Sequence, residues 1–217
     1  MLPEPSRRAG PRPGPKRRLG REKIVQAAVG LGIEQVSIGA VAAALGAAPA
    51  SLYRYIDGLD DLVAAAVETV FAATPLPSPD RGRRAYLEEE AATRLHLLTR
   101  YAGLVPESSA GLAGVAGRRF EQLVQGLAGL GFPVEEAVPA ADAVVDLVHD
   151  GAAQIARLRD PGDPSRPSPS VAAALEHYSP GVRAAVERII DAPGEHLARK
   201  LGLVLDGIAT RRTAPSP

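Results

Sequence analysis

After residue 20, apolar positions recur at helical spacing almost everywhere, and Gly, Pro and Ser punctuate them. Ile24, Ala27, Ala28 and Leu31 share one face of a first helix that begins near Arg21 and that Gly32 stops. Ser37 is placed to cap a second helix, Ile38–Leu45, with Ile38, Val41, Ala42 and Leu45 inward and Gly46 at its end. Pro49 suits the first turn of a third, short helix reaching about Tyr55, with Leu52 and Ile56 inward. A fourth runs from Leu59 to about Ala73, and three prolines within 74–80 end it. Further helices are predicted over 81–103, 107–129, 134–159, 170–190 and 194–212. No alternating β-branched run of strand length occurs, so the expected fold is all-α.

Composition narrows the classes. The 217 residues suffice for one large or two small domains, and the absence of Cys excludes thiolate metal sites, disulfides and a Cys nucleophile. The uncharged stretch 35–53 is too rich in Ala and too often broken by Gly, Ser and Pro to span a membrane. The N-terminus lacks the apolar core of a secretory signal, and a cytoplasmic location is expected. Twenty-five basic residues balance twenty-five acidic ones, so any basic surface must be local. It is local: residues 1–23 hold eight basic residues against Glu4 and Glu22, and five prolines lie in the first twenty. Residues 1–20 therefore read as a flexible basic arm, with nucleic acid as the partner such charge fits and a solubilising tail as the plainer alternative.

Two short helices joined by a turn containing Gly46 have the geometry of a helix-turn-helix, whose second helix enters the DNA major groove. Arg54 has the fork to read guanine there, and Ser51, three positions earlier, shares its face. The phenols of Tyr53 and Tyr55 suit phosphate oxygens, although aromatics at this spacing also serve as core. Pro49 and Ala50 offer apolar contact, and Ser37 completes the DNA-facing set on this module. The run from Ile38 to Leu62 resembles the N-terminal domain of the tetracycline-repressor (TetR) family of bacterial transcriptional regulators. Leu45-Gly46, Leu52-Tyr53, Tyr55 and the upstream Ile24-Val-Gln-Ala-Ala28 carry the likeness, which covers about 21–70. One position departs from it. Where the family usually carries a phosphate-contacting Lys, Leu59 stands among Asp57, Asp60 and Asp61, which repel phosphate. Arg17, Arg18 and Arg21 are expected to compensate by following the DNA backbone or entering the minor groove.

The resemblance implies that 71–217, with 16 basic and 18 acidic residues, is a helical effector-binding and dimerisation domain. Apolar stripes at Leu197, Leu201, Leu205 and Ile208 and at Val182, Ala185, Val186 and Ile189 suit a homodimeric four-helix bundle, which pairs with a palindromic double-stranded operator. A pocket for an unidentified small-molecule effector is expected between the helices over 81–103, 107–129 and 134–159. Tyr101 and Phe120 are candidate lining, and His96, Arg100, Asp146 and His149 candidate polar contacts. The run Glu88-Glu89-Glu90 reads as a solvated face. Neither a metal-ligating His spacing, a phosphate-binding Gly loop nor a Ser nucleophile elbow is present, so no enzyme, metal or cofactor is expected. The expected function is a repressor released by its effector; the alternative is a helical ligand- or protein-binding module with weakened DNA binding.

Overall fold

The computed structural model describes residues 19–101 and 110–211. Among them run ten α-helices: α1 (Arg21–Leu31), α2 (Ile38–Leu45), α3 (Pro49–Leu52), α4 (Leu59–Ala73), α5 (Arg83–Tyr101), α6 (Ala110–Gly129), α7 (Val134–Leu158), α8 (Pro169–Leu175), α9 (Pro180–Asp191) and α10 (Pro193–Arg211). None is long and apolar enough to cross a membrane.

Two apolar clusters organise these helices. Ile24, Ala28, Val41, Leu52, Ile56, Leu62 and Ala66 bury the facing sides of α1 to α4. Tyr86, Leu87, Leu123, Leu127, Ala141, Val144 and Val148 do the same for α5, α6 and α7, with Leu205 of α10 joining them. Full burial of each such side chain contributes on the order of 1.5–3 kcal/mol, which makes these stripes the main source of helical stability here.

Helix α6 ties the two clusters together through α4. The Glu68 carboxylate of α4 lies against Gly111 in the first turn of α6, so closely that a β-carbon there would overlap it. At the other end of the contact, Arg119 of α6 donates from Nη1 to the carbonyl of Thr74 at 2.8 Å and from Nη2 to that of Pro75 at 3.3 Å. A carboxylate thus meets the positive end of α6, and a guanidinium meets the carbonyls at the exit of α4. Arg100 near the end of α5 adds a 3.2 Å ion pair to Glu34, just beyond α1.

Three expectations are corrected. The predicted helix over 170–190 is two helices, because Pro180 lacks the N–H and the room to sit inside one, and with Ser179 ahead of it starts α9 afresh. The preceding loop contains a small antiparallel hairpin, β1 (Arg159–Asp160) and β2 (Asp163–Pro167), pairing Arg159 with Pro167 and Asp160 with Asp163. Its prolines hid it from a search for β-branched alternation. Third, the Leu197 stripe of α10 faces the chain's own core. Leu197 and Leu205 are buried, and Leu201 and Ile208 pack on the larger cluster. The large apolar residue of α10 left outside is Leu203, 74% exposed.

Candidate nucleic-acid interface

The α2–α3 corner is fixed by local chemistry. Ser37 Oγ accepts from the Ala40 amide at 3.2 Å and caps α2. Gly46 takes the left-handed conformation (φ 62°, ψ 34°) after its end, and the Ala47 amide reaches back to the Ala42 carbonyl at 2.9 Å. That pattern closes an orphan carbonyl and turns the chain, and only Gly adopts it without strain. Pro49 then opens α3, Ser51 Oγ donates to Ala48 O at 2.6 Å, and Leu52 and Ile56 anchor the segment in the core. Helix α3 ends at Leu52, and turns carry the chain on to Tyr55.

This anchoring leaves one face open. Pro49, Ala50, Tyr53 and Arg54 are exposed, Tyr53 by 57%. Tyr55 is half-buried against the small core, with the Arg54 guanidinium 5.8 Å from its ring centre. The two phenols are thus unequal, one presented outward and one holding the segment.

Arg21 is bound within the chain. It forks onto Asp61 with two 2.7 Å hydrogen bonds, and its Nη1 also donates to the Tyr55 carbonyl at 3.0 Å. Asp61 accepts in addition from the Asp57 amide at 3.0 Å. Hydrogen bonding to Asp61 holds the Arg21 guanidinium above its ordinary pKa, and the same bond holds the Asp61 carboxyl below its own. Asp61 is therefore a brace between α1 and the Tyr55 turn, and its charge is largely answered inside the protein. Leu59, Asp57 and Asp60 remain exposed at the start of α4. Arg17 and Arg18 lie outside the described residues, as does all of the arm before Leu19.

No protein-family model matches the chain. Over 101 residues it is 37% identical to the HTH-type transcriptional repressor DrrR1 of Streptomyces coeruleorubidus, a match covering 44% of this chain and 37% of that repressor. The chain thus spans little over a third of that curated relative. Its fold aligns over 91% of its length with the whole of TetR from Acinetobacter baumannii AYE, at a TM-score of 0.55 and 20% identity. It aligns likewise over 88% of its length with 97% of the Streptomyces coelicolor TetR family protein ActR in complex with (S)-DNPA, at a TM-score of 0.53 and 19% identity. The chain has the TetR-family fold.

In this TetR-fold chain the six candidate ligand residues do not converge. His96 and Arg100 are exposed, and Arg100 is occupied by Glu34 and lies over the Tyr101 ring. Tyr101 packs on the small cluster and Phe120 on the large one. Asp146 and His149 occupy the outer side of α7, where partial burial and the nearby Arg94 guanidinium hold the His149 imidazole below its ordinary pKa.

What does converge is a group that the periodicity hid. Glu90 is fully buried, correcting the reading of Glu88-Glu89-Glu90 as a solvated face; only Glu88 and Glu89 are exposed. Its Oε1 accepts from Arg94 Nη2 at 2.8 Å and from Arg119 Nε at 2.9 Å, and its Oε2 from Arg119 Nη2 at 2.6 Å. Both arginines are about 5% exposed. The sequence signal that would have found it is the i, i+4 pairing of Glu90 with Arg94 on a helix whose inner face also holds Tyr86 and Leu97.

Proposed function

We propose that the chain is a dimeric DNA-binding transcriptional repressor that a small-molecule effector releases from a palindromic operator. The observation that carries this reading is the open face of Pro49, Ala50, Tyr53 and Arg54, held outward by a fixed α2–α3 turn. The likeness to DrrR1, itself a transcriptional repressor, supports it from the sequence side.

On this reading Arg54 reads a base, Tyr53 contacts phosphate, Pro49, Ala50 and Ser51 line the groove, and Ser37 acts by capping α2. Tyr55 and Arg21 position this surface from within. Arg54→Ala is expected to cost about 1–3 kcal/mol of operator affinity and to relax selectivity at one base pair. Fluorescence anisotropy on single-base operator variants checks this; unchanged affinity and selectivity would remove Arg54 from readout.

Phosphate neutralisation needs another source. Residues 19–70 hold Arg21, Lys23 and Arg54 against six carboxylates, and Arg21 is paired internally. The cations therefore come from the arm, with Arg17 and Arg18 nearest the module. The exposed Asp57, Leu59 and Asp60 favour the second reading, a ligand-binding protein with weakened DNA binding. Selection of sites from random duplexes at two salt concentrations separates the two. A palindrome with a steep salt slope supports the repressor; weak, sequence-independent retention supports the alternative.

Dimerisation is assigned to the outer face of α10. Leu203 lines an open groove of about 500 Å³ between α7 and α10, together with Phe132, Pro139, Ala143 and Val204. Val182 on α9 is a second exposed apolar residue, at 49%. Leu203→Asp should leave the fold intact, because that side chain already faces water, and convert dimer to monomer in sedimentation velocity. A dimer that survives the change at micromolar concentration would place the interface elsewhere.

Effector release is a population shift. One arrangement spaces the two recognition surfaces about 34 Å apart, and the effector favours another. The ActR structure with its bound small molecule supports a ligand site in such a fold. Linkage then requires operator DNA to weaken effector binding by the same factor.

A further inference from the structure

The charges buried in the larger cluster do not balance. Two guanidinium groups, on Arg94 and Arg119, share the single carboxylate of Glu90. Among the described residues no other carboxylate pairs with either of them. Their use of Glu90 is unequal. Arg119 takes both oxygens in a fork, Nε to Oε1 and Nη2 to Oε2, and reaches two backbone carbonyls as well. Arg94 has only Oε1, which it meets with Nε at 3.2 Å and Nη2 at 2.8 Å. The uncompensated positive charge therefore belongs to Arg94. Burying more positive charge than the shared carboxylate balances is costly.

We infer that Arg94 is an anion-binding group, and that the effector is an organic anion with an apolar body and a carboxylate that pairs with the unshared edge of its guanidinium. This deepens the effector-responsive reading above and takes its biological meaning from it. Leu98 stands one helical turn from Arg94 on α5, Val145 one turn from His149 on α7, and both are partly buried beside the large cluster. Burial and the Arg94 guanidinium hold the His149 imidazole below its ordinary pKa, so its cationic form is disfavoured beside Arg94. Asp146 and Asp150 on the same helix are exposed to water, and their charges oppose that of Arg94 in acting on the His149 imidazole. A planar carboxylate satisfies a guanidinium edge in a way that a neutral amide or alcohol does not.

The test uses the full chain and matched probes: phenylacetate against phenylacetamide, and octanoate against octanamide, followed by ligand-observed NMR and thermal melting. The acids are expected to bind at least about tenfold more tightly than their amides, and Arg94→Met to erase that difference. Arg94→Lys should keep the preference for acids while weakening it, since charge remains and the fork is lost. Arg94→Met is expected to melt at or above the parent temperature, because it leaves Glu90 and Arg119 as a balanced pair. Equal binding of acid and amide, an acid preference that survives Arg94→Met, no acid binding at about 10 mM, or an unfolded Arg94→Met protein each overturns the inference. The two readings fail separately. If an acid bound through Arg94 leaves the selected duplex in place, effector release is wrong and the anion site stands. If a neutral compound releases the duplex, effector release stands and the anion site is wrong.

Discussion

Glu90→Gln lowers the unfolding free energy by about 3–5 kcal/mol, because it removes the one carboxylate that, among the described residues, pairs with two buried guanidinium groups, while leaving shape unchanged. For a domain whose total stability is of order 5–15 kcal/mol, that is a large fraction of the whole. The melting temperature should fall by roughly 10 °C. Urea denaturation measures the effect directly, with Glu89→Gln as the comparison. Glu89 is exposed one position earlier, so its change should stay within about 0.5 kcal/mol. A Glu90→Gln loss no larger than that of Glu89→Gln would show that water, rather than Glu90, answers the two arginines.

Removing residues 1–18 is the second large effect. The deleted segment carries Arg7, Arg8, Arg12, Lys16, Arg17 and Arg18 against Glu4, whereas residues 19–70 carry three basic residues against six acidic. If half of the arm cations in a dimer neutralise phosphates, about six contacts are lost. The slope of log affinity against log salt then flattens by about 5, and affinity at low salt drops by several orders of magnitude. Direct titration of the selected duplex between about 50 and 200 mM salt checks both quantities. A truncated protein with the parent slope would mean that the folded module, despite its acidic balance, carries all of the phosphate contact. Because the core of α1 to α4 begins at Ile24, the truncation should leave stability unchanged.

The two variants probe features that differ in how far the sequence alone reveals them. Helices α1, α2 and α4 were legible because their ends are written locally: Gly32 and Gly46 adopt positive φ, and Ser37 caps with its own side chain. Leu52 and Ile56 were legible as inward residues for the same reason, since helical spacing around Pro49 fixes their direction. The break before Pro180 was equally local and was missed only because apolar periodicity continues on both sides of it. The triad is different in kind. Of the three adjacent glutamates only Glu90 has an arginine four positions on, and the second arginine that completes the triad is 29 positions away on another helix. Arg21 shows the same limit. Its charge pointed to DNA, and its actual partner, Asp61, lies 40 positions on and becomes a neighbour only once α1 packs on α4. Long-range pairings of this sort leave no periodic trace.

The grip of α6 on α4 also has a mechanical consequence. Glu68 and Arg119 fasten the C-terminal half of α4, while its first residues carry the Asp61 brace that steadies the Tyr55 turn. Fifteen residues of helix make a stiff rod of about 22 Å, fastened to α6 in its C-terminal half and packed on α1 through Leu62, Ala66 and Val67. Tilting that rod by about 5° about its α6 contact carries its first turn, with the α1 side chain of Arg21 bound to it, by about 2 Å. Small strains arising where Arg119 meets Glu90 are thus geared up along α4, and the surface that would face DNA rides on the longer arm.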